Sequence, residues 1–220
     1  GWSPDLGSRI VDDEVKNLTQ KAVESFEELG ANVELFNFDI NLDELEEPLH
    51  NVLSFALSYA TNGYLLEKKS DYLMHYVRNT LEQGKKITTY KYIESLTKLY
   101  EFRNKVEHIF KQYDYIATPT MGMTAFKCDT RPFFENNKIK FKDFDNGYYD
   151  YSSWNLELTQ FTALFNWSSN PAAALPCGFS SSGLPVSLQI IGKKEDEVGV
   201  LQASRSFEKL NPWHHYYPDI

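Results

Sequence analysis

Residues 170–192, NPAAALPCGFSSSGLPVSLQIIG, constrain the fold more tightly than any other stretch of this chain. Two short apolar runs flank three serines and a glycine. Apolar runs of this length, bounded by turn residues, are the pattern of strands buried in a sheet. The serines between them either shape a turn or carry a nucleophile. A nucleophilic serine needs a base and an oxyanion hole, commonly placed by a glycine-rich bend from strand to helix. Here no helix follows within reach, and Lys193 and Lys194 lie beyond the second run. The stretch therefore reads as two strands joined by a polar turn, with Gly183 free to adopt a positive φ.

Helices surround those strands. Asp12 and Asp13 can cap a helix whose apolar face is Val15, Leu18, Ala22, Val23, Phe26 and Leu29, and Gly30 ends it. NVELFNF (32–38) alternates as a strand does, and GWSPDLG ahead of the helix reads as a strand end and turn whose upstream half is missing. Residues 41–84 are mostly helical, with breaks expected at Pro48, at 61–63 and at Gly84. The longest helix starts at Thr88 or Thr89 and presents Tyr92, Ile93, Leu96, Leu99, Tyr100, Val106, Ile109 and Phe110 as its buried face. YDYIATPT (113–120) is a short buried strand, 153–166 is helical, and EDEVGVLQASRSFEKL is the final helix. Residues 121–155 lose periodicity and are expected to form the least ordered region. Without repeat or linker, residues 1–220 make a single domain of α/β class.

Several functions are disfavoured. A net charge of −9 and a pI near 5.1 argue against nucleic acid and against an anionic membrane surface. No apolar run approaches bilayer length, and GWSPDLGSRI lacks the basic head and apolar stretch of a signal peptide. Two cysteines, Cys128 and Cys177, suit reduced thiols and a cytoplasmic setting. The histidines His50, His75, His108, His214 and His215 have no metal-ligand spacing, so neither a metal nor another cofactor is expected. Cys177, between Pro176 and Gly178, would need a nearby histidine to act as a nucleophile.

A set of motifs in order gives a family likeness. SPDLG (3–7) followed by VDDEV, then YDYIATPT, FTALFNWSSNPAAALPCGF, GLPVSLQIIG and FEKLNPWHHYYP resemble the C-terminal half of the amidase signature family of serine amide hydrolases. The resemblance implies part of an α/β/α sandwich, a mixed β-sheet flanked by helices. It also implies a Ser–Ser–Lys mechanism, with a nucleophilic serine on a Gly/Ser-rich loop, a bridging serine in a cis peptide and a lysine base. In the family those groups lie in the N-terminal half. No Gly-Gly-Ser-Ser-Gly-Gly-like stretch occurs here, so no catalytic residue is assigned to this chain.

The resemblance places Thr118, Pro119, Met121, Phe161, Thr162 and Asn166 in the substrate-pocket wall. Each has a plainer reading: core packing for Phe161, a loop-backbone hydrogen bond for Asn166, a strand end for Thr118 and Pro119. Ser169 and Ser187 stand where the family pattern has glycine, which permits close approach or a positive φ. Two functions compete. One is the C-terminal part of an amide hydrolase, inactive alone and partnered by a separate N-terminal half. The other is a stand-alone, non-catalytic binding or assembly protein derived from an amidase. Either way a half sandwich leaves an open strand edge and an uncovered apolar face, so a homo-oligomer is expected, joined near GWSPDLG or strands 171–192.

Overall fold

The computed structural model describes residues 1–128, 130–143, 158–213 and 215–216. Its centre is a sheet in which β1 (Tyr115–Pro119) pairs antiparallel with β5 (Pro185–Gly192), and β5 with β4 (Ala172–Phe179). The Gly1–Ser3 segment continues it beyond β1: Trp2 bridges in parallel to Ala117 on one side and to Leu35 on the other. Ala117 N donates to Gly1 O (2.8 Å), Ser3 N to Ala117 O (3.0 Å) and Phe36 N to Trp2 O (3.0 Å). The sheet is therefore mixed, as the fold class requires. GWSPDLG does not form its edge, because Trp2 is paired on both flanks. The edges are the Leu35 segment and β4.

Each face of the sheet is covered by helices. On one face lie α1 (Asp13–Glu24), extended by a 3₁₀ turn at Ser25–Leu29, and α8 (Glu197–Leu210). Trp2, Ala117, Leu175, Leu188 and Ile190 of the sheet meet Ala22, Val23 and Phe207 there. Asp12 caps α1 by accepting from Glu14 N, and Gly30 closes the extension at φ 85°. On the other face α6 (Thr89–Ile109) and α7 (Ala163–Ser168) pack Phe102, Val106, Leu164 and Phe165 over Ile116 and Ile191. Thr88 caps α6 by accepting from Lys91 N.

Residues 41–86 differ from expectation at two points. After α2 (Asp43–Leu45), a π-helix at Glu46–Ser54 runs through Pro48 without a break. Pro48 is the sixth residue of a continuous helical run from Asp43, and the wider π-helical turn accommodates a residue without an N–H donor there. α3 (Phe55–Asn62) and α4 (Leu65–Lys68) lead to α5 (His75–Lys86), and Gly84 lies inside α5. A Cβ there would stand 2.2 Å from the Phe55 carbonyl oxygen, so the glycine lets two helices touch.

Three further expectations change. Alternation at 32–38 produces the single bridge at Leu35 and no longer ladder. The buried face of α6 is Ser95, Phe102 and Val106, leaving Ile93 and Tyr100 exposed. Residues 130–143 form a hairpin, β2 (Thr130–Glu135) against β3 (Lys138–Asp143). Asn136 and Asn137 turn it with φ of 53° and 56°, the geometry of a two-residue hairpin turn. Expectations for 144–157, including the start of the helix expected at 153, lie outside the described residues. No helix among the described residues is long and apolar enough to cross a membrane.

Candidate functional site

The sheet alternates its side chains, so the face carrying Ile116 and Ile191 also carries the residues between them and the strand ends. Thr118 lies directly opposite Gln189, and both are buried. Gln189 Nε2 donates to Thr118 Oγ1 (3.0 Å) and to the Phe161 carbonyl (3.2 Å), while Thr118 Oγ1 donates to Pro119 O (2.9 Å). A buried amide without such acceptors would cost about 1–3 kcal/mol. Three separate chain segments therefore hold one polar knot inside an apolar layer. Ser3, buried on the strand next to β1, has a hydroxyl without a hydrogen-bond partner among the described residues.

The pocket-wall candidates divide around this knot. Thr118 and Phe161 are tied together through Gln189. Pro119, buried opposite Leu188, instead faces the other side of the sheet and reaches the knot only through its carbonyl, which accepts from Thr118 Oγ1. The Phe161 ring is fully buried in the core. Met121 and Thr162 are half-buried beside it, and Thr162 N donates to Thr159 O (3.0 Å). Asn166 is exposed on α7, and its carbonyl accepts from Ser169 N. Gly122 closes the junction: a Cβ there would lie 2.6 Å from Gln160 Nε2 and 2.8 Å from Ile10 O. Gln160 Nε2 itself donates to Ile10 O (3.2 Å).

Gln189, Gln160 and Gly122 are participants that the sequence reading passed over. For Gln189 a signal existed: one amide-bearing residue in the apolar run SLQIIG. On β4, Ala172 and Ala174 lie opposite Ile191 and Gln189 and are exposed. This face of the sheet is thus covered over β1 and β5 and open over β4.

The serine triplet closes the β4–β5 hairpin. Ser180 N donates to Leu184 O (2.8 Å), Gly183 N to Ser180 O (2.9 Å), and Gly183 adopts φ 77°. Ser180 Oγ accepts from Leu184 N (3.1 Å) and shares a hydrogen with Ser182 Oγ (2.8 Å). Glu14 at the start of α1 accepts from both the amide and the hydroxyl of Ser181. Cys177 is half-buried, and burial pushes its thiol up to about 11, so it is protonated at neutral pH. Among the histidines, His50 sits against Phe55 and Trp167 with its pKa lowered by burial. No cluster of three or more His, Cys, Asp or Glu among the described residues could hold a metal.

The two family glycine positions behave differently. Ser169 ends α7 at φ 63°, where glycine is the easiest residue, and its hydroxyl accepts from Arg103 (3.0 Å). Ser187, opposite Pro176 beside a bulge, has no positive φ.

A family model described as Amidase matches residues 1–201. Among curated proteins, a glutamyl-tRNA(Gln) amidotransferase chain of Thermodesulfovibrio yellowstonii is 40% identical over 116 residues, covering 53% of this chain and 20% of that protein. An amidase of Pseudomonas putida is 24% identical over 210 residues, covering 96% of this chain and 42% of its own length. Among solved structures, a bacterial aryl acylamidase of the amidase signature family superposes with a TM-score of 0.77 at 20% identity, over 97% of this chain and 43% of that one. The 6-aminohexanoate cyclic dimer hydrolase gives 0.74 at 20% identity, over 100% and 46%. The chain spans less than half the length of each of these relatives.

Proposed function

We propose that this chain, which belongs to the amidase family, is the C-terminal part of an amide hydrolase and forms one wall of its substrate pocket. One observation carries the reading. The family match runs through most of the chain, yet no Gly/Ser-rich nucleophile loop is present and the serine triplet is bound up in a hairpin turn. Without nucleophile and oxyanion hole the barrier to amide cleavage is not lowered, so the chain alone is inactive. The chemistry belongs to the remainder of the family fold, the N-terminal half that carries the family's Ser–Ser–Lys groups.

The open part of the sheet supports that division of labour. β4 is an edge strand, and Ala172 and Ala174 present a small-residue surface beside the Thr118–Gln189 knot. In this reading Thr118 and Phe161 make the rigid back of the wall, with the Pro119 carbonyl holding the Thr118 hydroxyl, and Met121 and Thr162 make its rim. Asn166, already at the surface, meets the missing half. The free thiols of Cys128 and Cys177 support a cytoplasmic setting.

The test is direct. The purified 220-residue chain is expected to show no amide turnover above background and no labelling by a fluorophosphonate. Reproducible labelling at Ser180, Ser181 or Ser182 would overturn the reading.

A further inference from the structure

α6 is apolar on two sides. Its inner side is buried in the core, and its outer side carries Tyr90, Ile93 and Tyr100, which are 77%, 54% and 59% exposed. With exposed Thr97 between them, these residues fall at spacings of three and four, so they form one continuous stripe. Isolated exposed apolar residues are ordinary, but an aligned stripe along a long helix is a contact surface.

The charges beside the stripe say what it contacts. Lys91, Glu94, Lys98, Glu101 and Lys105 also follow one another at three and four residues, and their signs alternate without exception. The ridge's own pairs are exposed: Lys91 with Glu94 (3.3 Å) and also with Glu47 of the π-helix (3.1 Å), and Lys98 with Glu101 (3.1 Å). Exposed pairs of this kind contribute little to stability. An alternating ridge has a second property: reversed and laid against itself, it is complementary.

We propose that α6 packs antiparallel against α6 of a second copy of this chain, across a two-fold axis near Leu96 and Thr97. In that register Lys91 faces the partner's Glu101, and Glu94 faces the partner's Lys98. Ile93 then lies against the partner's Tyr100. Antiparallel pairing brings the same flank of each helix together, so a ridge on one side suffices, whereas in a parallel pair the two ridges lie on opposite sides of the contact and never meet. The contact is isologous and closes at two copies. One pair of helix faces buries less than the roughly 800 Å² per partner of a standard interface, so the dimer is weak. This inference does not rest on the amidase reading. It moves the expected self-association away from GWSPDLG, which is paired inside the sheet, and away from the late strands.

Sedimentation of the full chain between about 5 and 200 μM tests it. A monomer–dimer equilibrium with a Kd on the order of 10–100 μM is expected. It should weaken severalfold in about 0.5 M salt, which screens exposed charge pairs. Ile93→Glu should abolish it without lowering the thermal midpoint, since the residue is exposed. Lys98→Glu and Glu94→Lys should each weaken self-association at least tenfold, and an equimolar mixture of the two variants should dimerise again. Thr97→Cys in a Cys128→Ser background should give a disulfide-linked dimer under mild oxidation. A monomer at every concentration overturns the proposal. So does a dimer indifferent to Ile93→Glu, or a mixture of the charge variants that stays monomeric.

Discussion

The two faces of the central sheet are built from different chemistry. The face under α1 and α8 is apolar in its sheet residues: Trp2, Ala117, Leu175, Leu188 and Ile190 meet Ala22, Val23 and Phe207, with Phe26 stacked on Phe207 at 5.4 Å between ring centroids. The buried Thr19 hydroxyl of α1 donates back to Val15 O (2.8 Å) within its own helix. The face under α6 and α7 has comparable bulk in Ile116, Ile191, Phe161 and Phe165, yet it also buries Ser3, Thr118 and Gln189. Apolar packing stabilises without needing direction, while a buried amide stabilises only when its acceptors are correctly placed. One face therefore holds the sheet together, and the other fixes where three chain segments stand relative to one another. Specific positioning is what a pocket wall requires, and it lies beside the part of the sheet left open over β4.

The largest effect that should separate the faces is Phe207→Ala. Phe207 is fully buried against the apolar face, and its truncation should cost about 3–5 kcal/mol in denaturant unfolding. A cost below about 1 kcal/mol would mean that α8 contributes little to this face, and the comparison would fail.

Gln189→Leu probes the other face with similar volume. It should cost about 1–3 kcal/mol, because the Thr118 hydroxyl and the Phe161 carbonyl lose their shared donor. Thr118→Val in the same background should then cost less than it does alone, since only the hydrogen bond to Pro119 O remains to be lost. Additive losses from the two changes would show that they do not form one knot.

The smallest expected effect is a pH dependence at the edge of the apolar face. Cys177 packs there, and its thiol is raised from 9.0 to about 11 by burial. The folded chain keeps this proton while the unfolded chain begins to lose it near pH 9. The contribution is therefore complete below pH 9 and disappears as pH rises towards 11. The stability difference between the protein and its Cys177→Ala variant should shift against the protein between about pH 8 and pH 10.5. A constant difference would place Cys177 in contact with water.

Local signals in the sequence predicted what local forces determine. Asp12 capping α1, Gly30 ending its extension, Thr88 opening α6 and Gly183 turning β4 into β5 were all legible, because each acts within a few residues. Where partners are distant, the reading failed in recognisable ways. Residues 32–38 alternate like a strand, but only Leu35 finds a bridge partner in Trp2. α6 has apolar residues on two sides, so periodicity alone could not say which side faces the core. The β2–β3 hairpin hides its strands because contacts between segments support them: Lys142 of β3 over Phe133 of β2, and Phe126, ahead of β2, against Phe141. The polar knot was out of reach because Gln189 finds its acceptors 71 and 28 residues away. Ser169 was readable to the extent that a glycine position implied a positive φ, which the residue adopts; the same inference did not hold at Ser187.

The place of Trp2 within the sheet sets an order for assembly in time. β4 and β5 are joined by one tight turn and can meet after a short search. The segment carrying Trp2 reaches β1 across a loop of 114 residues, measured from Gly1 to Tyr115. Closing so long a loop carries a larger entropic cost before any contact offsets it. The Gly1–Ser3 segment is thus among the last to be laid into the sheet. Until it arrives, the outer flank of β1 offers an unpaired edge. A ribosome would have to deliver every residue through β1 before that tripeptide, already able to pair with the Leu35 segment, could join the sheet.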